Sequence, residues 1–164
     1  MGLTEETCAF EGCSLPSALE AMGERWSFLI LRAALSGVRH FEDFQSSLGI
    51  ARNILASRLS RLVEKGILDR HQMENDRRKV EYRLTQKGLE LLPVMLALRQ
   101  WGERWGAGVP STPVLADRRD RQPIAKIGIY SHDGRRLELE DLCWIEADEV
   151  SSLPQCADRS VRVG

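Results

Sequence analysis

"GIARNILASRLSRLVEKGILDR", residues 49–70, reads as a helix with two unlike faces. Leu55, Leu59, Leu62 and Val63 recur at helical spacing, while Arg52, Asn53, Ser57, Ser60 and Arg61 lie away from them, with Arg58 close by. Gly49 precedes the pattern, and Lys65 and Gly66 close it with a basic last turn and a terminating glycine. Just upstream, "HFEDFQSSLG" (40–49) sets Phe41, Phe44 and Leu48 on one side of a shorter helix. Two helices joined by a tight turn containing glycine form the helix-turn-helix pattern.

The next stretch changes period from helical to two. "ILDRHQ" (67–72) and "VEYRLT" (80–85) read as strands, with Ile67, Leu68, Val80, Tyr82 and Leu84 available for packing. Between them "MENDRRKV" is polar and carries Arg77, Arg78 and Lys79, so the expectation is a hairpin with a basic tip. A hairpin placed directly after a helix-turn-helix is a wing, whose cations would lie on the DNA backbone or in the minor groove.

Upstream, Ser14 is placed to cap a helix with Pro16 in its first turn, and Leu15, Leu19 and Met22 form its stripe before Gly23. "RWSFLILRAALSG" (25–37) is apolar on nearly all sides, which suits a helix at the centre of a core. Downstream, Thr85 caps "QKGLELLPVMLALRQWGERW" (86–105), where Leu91, Val94 or Met95, Leu98, Trp101 and Trp105 make a long stripe. This reads as one helix bent at Pro93, because proline removes a backbone hydrogen bond, with part of the stripe meeting another subunit.

Composition fits this reading. The 164 residues are 43% hydrophobic and 29% charged, ordinary for a globular chain. The net charge is only -1, yet 12 Arg and Lys stand against 7 Asp and Glu between Arg25 and Arg83, so one segment is basic. Local cations suffice for phosphate neutralisation, since counterion release depends on contacts and not on total charge. The acidic start "MGLTEETCAFEGC" lacks a basic flank and an apolar region, and no stretch is long and apolar enough for a membrane span, so a cytoplasmic protein is expected. Four cysteines (Cys8, Cys13, Cys143 and Cys156) are too sparse for a disulfide scaffold and lack CxxC spacing. His40, His71 and His132 are scattered, and no phosphate loop, H-E-x-x-H or nucleophile elbow occurs. Neither an enzyme nor a metal or other cofactor is expected.

With its apolar side inward, the helix of residues 52–65 presents Arg52, Asn53, Ala56, Ser57 and Ser60 to a major groove. Arg52 or Asn53 suits purine edges, Ser57 suits base or phosphate, and Arg58 and Arg61 suit phosphate clamping. From charge alone the same residues also read as a solvated helix face. Cys13 stands just before a helix start, where the dipole favours a thiolate, with Cys8 five residues away as a resolving thiol. The alternative is an inert cysteine in a dimer contact.

The run from Cys13 to Trp105, with "GERW", "RHFEDFQ", "ILASRLSRLVEKGIL", "YRLTQKG" and the closing Trp-rich helix in this order, resembles the HxlR family of bacterial winged helix-turn-helix regulators, within the MarR-like group. The resemblance implies a mainly α, α+β fold and a homodimer on double-stranded DNA. It also implies dimerisation through the first and last helices, here Leu15, Leu19, Leu91, Val94, Met95, Leu98, Trp101 and Trp105. Several family members sense electrophiles or oxidants through the lead cysteine, which is Cys13 here. Two-fold symmetry calls for a pseudo-palindromic operator with half-sites about one helical turn apart. Other readings are a small-molecule sensor with its pocket at the dimer seam and a protein-interaction module.

The expected organisation is an arm at 1–13, the winged domain at 14–106, a linker at 107–122 around "GVPSTP", a β-hairpin at 123–150 and a tail at 151–164. The hairpin rests on alternating runs joined by His132, Asp133 and Gly134.

Overall fold

The computed structural model describes residues 13–73, 76–106, 108, 111–145 and 147–150, with 76–78 and 147 described by backbone alone. Two units divide after Ala125. In the first, helices α1 (Leu15–Met22), α2 (Arg25–Leu35), α3 (Phe41–Leu48) and α4 (Arg52–Glu64) precede strands β1 (Leu68–Met73) and β2 (Asp76–Leu84), then α5 (Gln86–Leu89) and α6 (Leu92–Trp105). This is a winged helix of the α+β class.

The core follows the apolar spacing. Ile30, Leu31, Ala33 and Ala34 of α2 pack with Phe44 of α3, Leu55, Leu59 and Leu62 of α4, and Ile67 and Leu68 at the wing's base. Phe44 meets Tyr82 of β2 edge-on at 6.4 Å, which joins α3 to the wing. α2 and α4 end alike: Val38 N–H donates to the Ala33 carbonyl at 3.0 Å, and Ile67 N–H to the Leu62 carbonyl at 2.9 Å. Gly37 and Gly66 supply the positive φ that this six-to-one closure needs.

Three local expectations change. Ser14 occupies the N-cap position of α1 in right-handed helical backbone and makes no side-chain cap bond. Its carbonyl instead accepts from the Ser17 hydroxyl at 2.9 Å. The expected single helix of residues 86–105 is two, because Pro93 lacks an N–H and is accommodated in the first turn of α6, where none is required. The cations expected at the hairpin tip belong to β2 instead: Gln72 faces Val80 but Met73 faces Asp76, so Arg77, Arg78 and Lys79 fall where the ladder slips.

α5 is held tightly to the wing. Thr85 accepts from Gly88 N–H at 3.0 Å, as its capping position requires, and donates to the Gly66 carbonyl at 2.7 Å. A Cβ on Gly88 would stand 2.3 Å from the Ile67 carbonyl oxygen, so this crossing admits only glycine.

The described part of the expected linker is a strap on α6. Ser111 N–H donates to Glu103 Oε1 at 3.1 Å, Arg99 Nη2 donates to the Pro113 carbonyl, and Gln100 Nε2 donates to the Ala125 carbonyl at 3.1 Å. In the second unit, β3 (Ile129–Tyr130) pairs antiparallel with β4 (Arg136–Leu137) around the Asp133-Gly134 turn. The expected hairpin is thus present but only two residues long on each side. Its β4 leads into a short 3-10 turn at Leu139–Asp141 closed by a reciprocal capping box between Glu138 and Asp141.

Candidate nucleic-acid interface

α4 has three faces. Leu55, Leu59 and Leu62 point into the core. Arg58, Arg61 and Lys65, at i, i+3 and i+7, turn toward α1 and the start of α2. Arg58 Nε donates to Glu24 Oε1 at 2.7 Å, Arg61 Nη2 to the Glu20 carbonyl at 2.6 Å, and Lys65 Nζ to Glu20 Oε1 at 3.4 Å. Arg52, Asn53, Ala56, Ser57 and Ser60 form the third face, and all five are exposed.

This separates the residues read together from sequence. Arg58 and Arg61, expected as phosphate clamps, have internal partners and staple α4 to the upstream helices. Glu20 and Glu24, which supply those partners, escaped sequence reading, because they stand 34 to 45 residues away along the chain. Two glutamates four apart facing a basic i, i+3, i+7 row were the available signal.

The start of α4 is set up by its neighbours. Gly49, in left-handed conformation with φ 60°, closes α3, and Ala51 begins α4 without offering a side-chain cap. The N–H groups of the first turn of α4 therefore keep their donor capacity. The Arg52 guanidinium lies over the Phe41 ring, 4.8 Å from its centroid, which positions a cation at that end.

The wing is tied to the α2–α3 connection. Tyr82 N–H donates to the Arg39 carbonyl at 2.8 Å, and His40 Nδ1 lies 3.1 Å from the Val80 carbonyl. The hydrogen bond from Arg83 is the main influence holding the Glu81 carboxyl below its usual range, and His40 stands 3.9 Å away on the other side. Asp69, Arg70, His71 and Gln72 are exposed on β1, and Lys79 is exposed on β2.

The helices expected to dimerise carry an uncovered apolar surface. Leu15, Leu19, Val94, Leu98, Trp101 and Trp105 are 52–65% exposed, whereas Leu91 and Met95 are partly buried against their own core. Cys13 is exposed just ahead of α1, and Cys8 lies outside the described residues. A cavity of about 410 Å³ opens within the chain between α2, the opposite face of α6 and the strap. Among the described residues no group of three His, Cys, Asp or Glu side chains is arranged to hold a metal ion, and no helix is long and apolar enough to cross a membrane.

Known proteins resemble this chain in sequence and fold. The family model described as HxlR-like helix-turn-helix matches residues 21–109. An uncharacterised HTH-type transcriptional regulator of Mycobacterium tuberculosis, Rv3095, is 45% identical over 105 residues, or 64% of this chain and 66% of its own length, just under two thirds. The crystal structure of PA1607, described as a transcription factor, superposes with a TM-score of 0.75 at 40% identity, covering 81% of this chain and 94% of that one. The redox regulator HypR in its oxidised form superposes at 0.51 with 29% identity, over 56% of this chain and 96% of its own. With a family match over more than half its length and the winged fold in place, the chain belongs to the HxlR-like helix-turn-helix family.

Proposed function

We propose that the chain is a homodimeric, sequence-specific DNA-binding transcription regulator acting in the cytoplasm, and not an enzyme. The observation that carries this reading is the free polar face of α4, which neither the core nor the Glu20 and Glu24 staple consumes. Arg52, Asn53, Ala56, Ser57 and Ser60 enter the major groove of double-stranded DNA, with Asn53 reading a base edge and Arg52 and the first-turn N–H groups meeting phosphate. Arg77, Arg78 and Lys79 lie along the backbone or minor groove, and Arg58 and Arg61 hold α4 in place. The exposed stripe of α1 and α6 joins two copies, whose symmetry requires a pseudo-palindromic operator.

Fluorescence anisotropy on variants tests this assignment. Asn53→Ala should change which operator is preferred, whereas a combined Arg77→Gln, Arg78→Gln and Lys79→Gln variant should weaken binding to all sequences and flatten the salt slope. Unchanged preference and affinity in both would contradict the docking.

A thiol response is a second reading, supported by the exposure of Cys13 and by the likeness to a redox regulator. Mild oxidation should then abolish specific binding with Cys13 present and leave Cys13→Ser unaffected; loss in both, or in neither, contradicts it.

A further inference from the structure

The cavity on the inner side of α6 has a definite chemical character. Leu92, Met95, Leu96 and Arg99, at i, i+3, i+4 and i+7, line it, while Val94, Leu98, Trp101 and Trp105 face the other way. A second copy seated on the exposed stripe therefore leaves this cavity inside each protomer. Its volume of about 410 Å³ falls within the size range of small-molecule sites, and Leu35, Val114 and Leu115 add to an apolar lining.

The polar groups differ in what they are free to do. Arg99 is occupied: it donates to the Pro113 carbonyl and pairs with Glu103 at 3.3 Å, which latches the strap to α6. Glu103 is occupied as well, since hydrogen bonds from Ser111 hold its carboxyl below the usual range, with Arg99 adding to the effect. Arg32, in the last turn of α2, lines the same cavity; its carbonyl accepts from Ser36 N–H at 3.1 Å, but its guanidinium has no hydrogen-bond or ion-pair partner among the described residues. The cavity lining contains two arginines and no carboxylate. An apolar chamber with one unspent cation at its wall selects an apolar molecule with one negative end.

We propose that the cavity between α2, α6 and the 111–115 strap binds a small carboxylate with a hydrocarbon body, its acid group on Arg32 and its body among Leu35, Met95 and Leu96. Resting on the regulator reading, the consequence is control of DNA binding. The start of α2 holds α4 through Glu24 and Arg58, and α6 carries the proposed dimer surface, so a ligand wedged between α2 and α6 sets the angle between reading helix and dimer axis.

Isothermal titration of the full chain with octanoate, octan-1-ol and octylammonium tests the site, because the three probes share a body and differ in charge. Octanoate should bind at least tenfold more tightly than octanol, with octylammonium weakest. Arg32→Gln, a change at an exposed position, should bring octanoate down to the level of octanol, and Val114→Trp, which fills the chamber from the strap, should weaken octanoate and octanol alike. No octanoate binding, no preference for it over octanol, or full binding to Arg32→Gln each overturns the site. A DNA-binding measurement with saturating octanoate separates the two claims. A shift of threefold or more in operator affinity, absent in Arg32→Gln, supports the coupling, and an unchanged affinity overturns it. Octanoate binding by a chain with no affinity for DNA contradicts the regulator reading and leaves the site standing.

Discussion

At the residue scale, partners decide which cations remain for a ligand. Arg58 and Arg61 are as basic as Arg52, but the first two are engaged by Glu24 and the Glu20 carbonyl, and the third rests on Phe41 at the start of α4. Glu24→Gln should lower stability by roughly 0.2–1 kcal/mol, the range for a partly exposed ion pair, without altering operator preference. A changed preference in binding-site selection would mean that Arg58 reads DNA directly. Glu103 gives a pH signature. Its folded pKa is lowered, chiefly by hydrogen bonds from Ser111, so its contribution to stability is present above the unfolded value and is lost as pH falls through the depressed one. A pH series of NMR spectra should show the Ser111 amide shifting only below the ordinary glutamate range, and Glu103→Gln should abolish that step. A midpoint at or above the ordinary range would contradict the strap's hydrogen bonding.

At the scale of elements, periodicity made the helices legible and long-range contacts limited the rest. Leu55, Leu59 and Leu62 announce the buried face of α4, and Gly37, Gly49 and Gly66 mark the ends of α2, α3 and α4, because these signals are local. The split of the expected long helix at Pro93 was half legible: the missing N–H predicts a disturbance, but not that α5 stops at Leu89 and α6 begins at Leu92. The strap was hidden because its hydrogen bonds use the backbone of Ser111, Pro113 and Ala125, which side-chain spacing does not advertise. The free polar face of α4 was legible as a set of residues, whereas its separation from the stapled face depended on Glu20 and Glu24. Gly88 is the sharpest test at this scale. With the Ile67 carbonyl 2.3 Å from the place of a Cβ, Gly88→Ala should destabilise the domain by about 1–3 kcal/mol, read as a lower Tm. An unchanged Tm would show that α5 is free to move off the wing.

At the scale of the whole molecule, the proposed dimer accounts for apolar surface that one chain leaves open. Leu98, Trp101 and Trp105 on α6 and Leu15 and Leu19 on α1 are more than half exposed, while the same chain buries its core leucines almost completely. Replacing Trp101 and Leu98 with Glu should convert a dimer into a monomer in sedimentation and reduce operator affinity, with the winged fold preserved by circular dichroism. A double variant that remains dimeric would move the seam to another surface. The second unit has its own exposed apolar residues, with Leu139 and Trp144 the most open, and its short hairpin was legible from Asp133-Gly134 although its brevity was not.

The most direct test of DNA recognition is the salt dependence of anisotropy on the chain's own upstream DNA against scrambled DNA of equal length. Affinity should fall steeply on both as salt rises, with the upstream sequence bound at least a hundredfold more tightly throughout. Equal affinity for the two sequences, or binding that ignores salt, would contradict the proposed recognition.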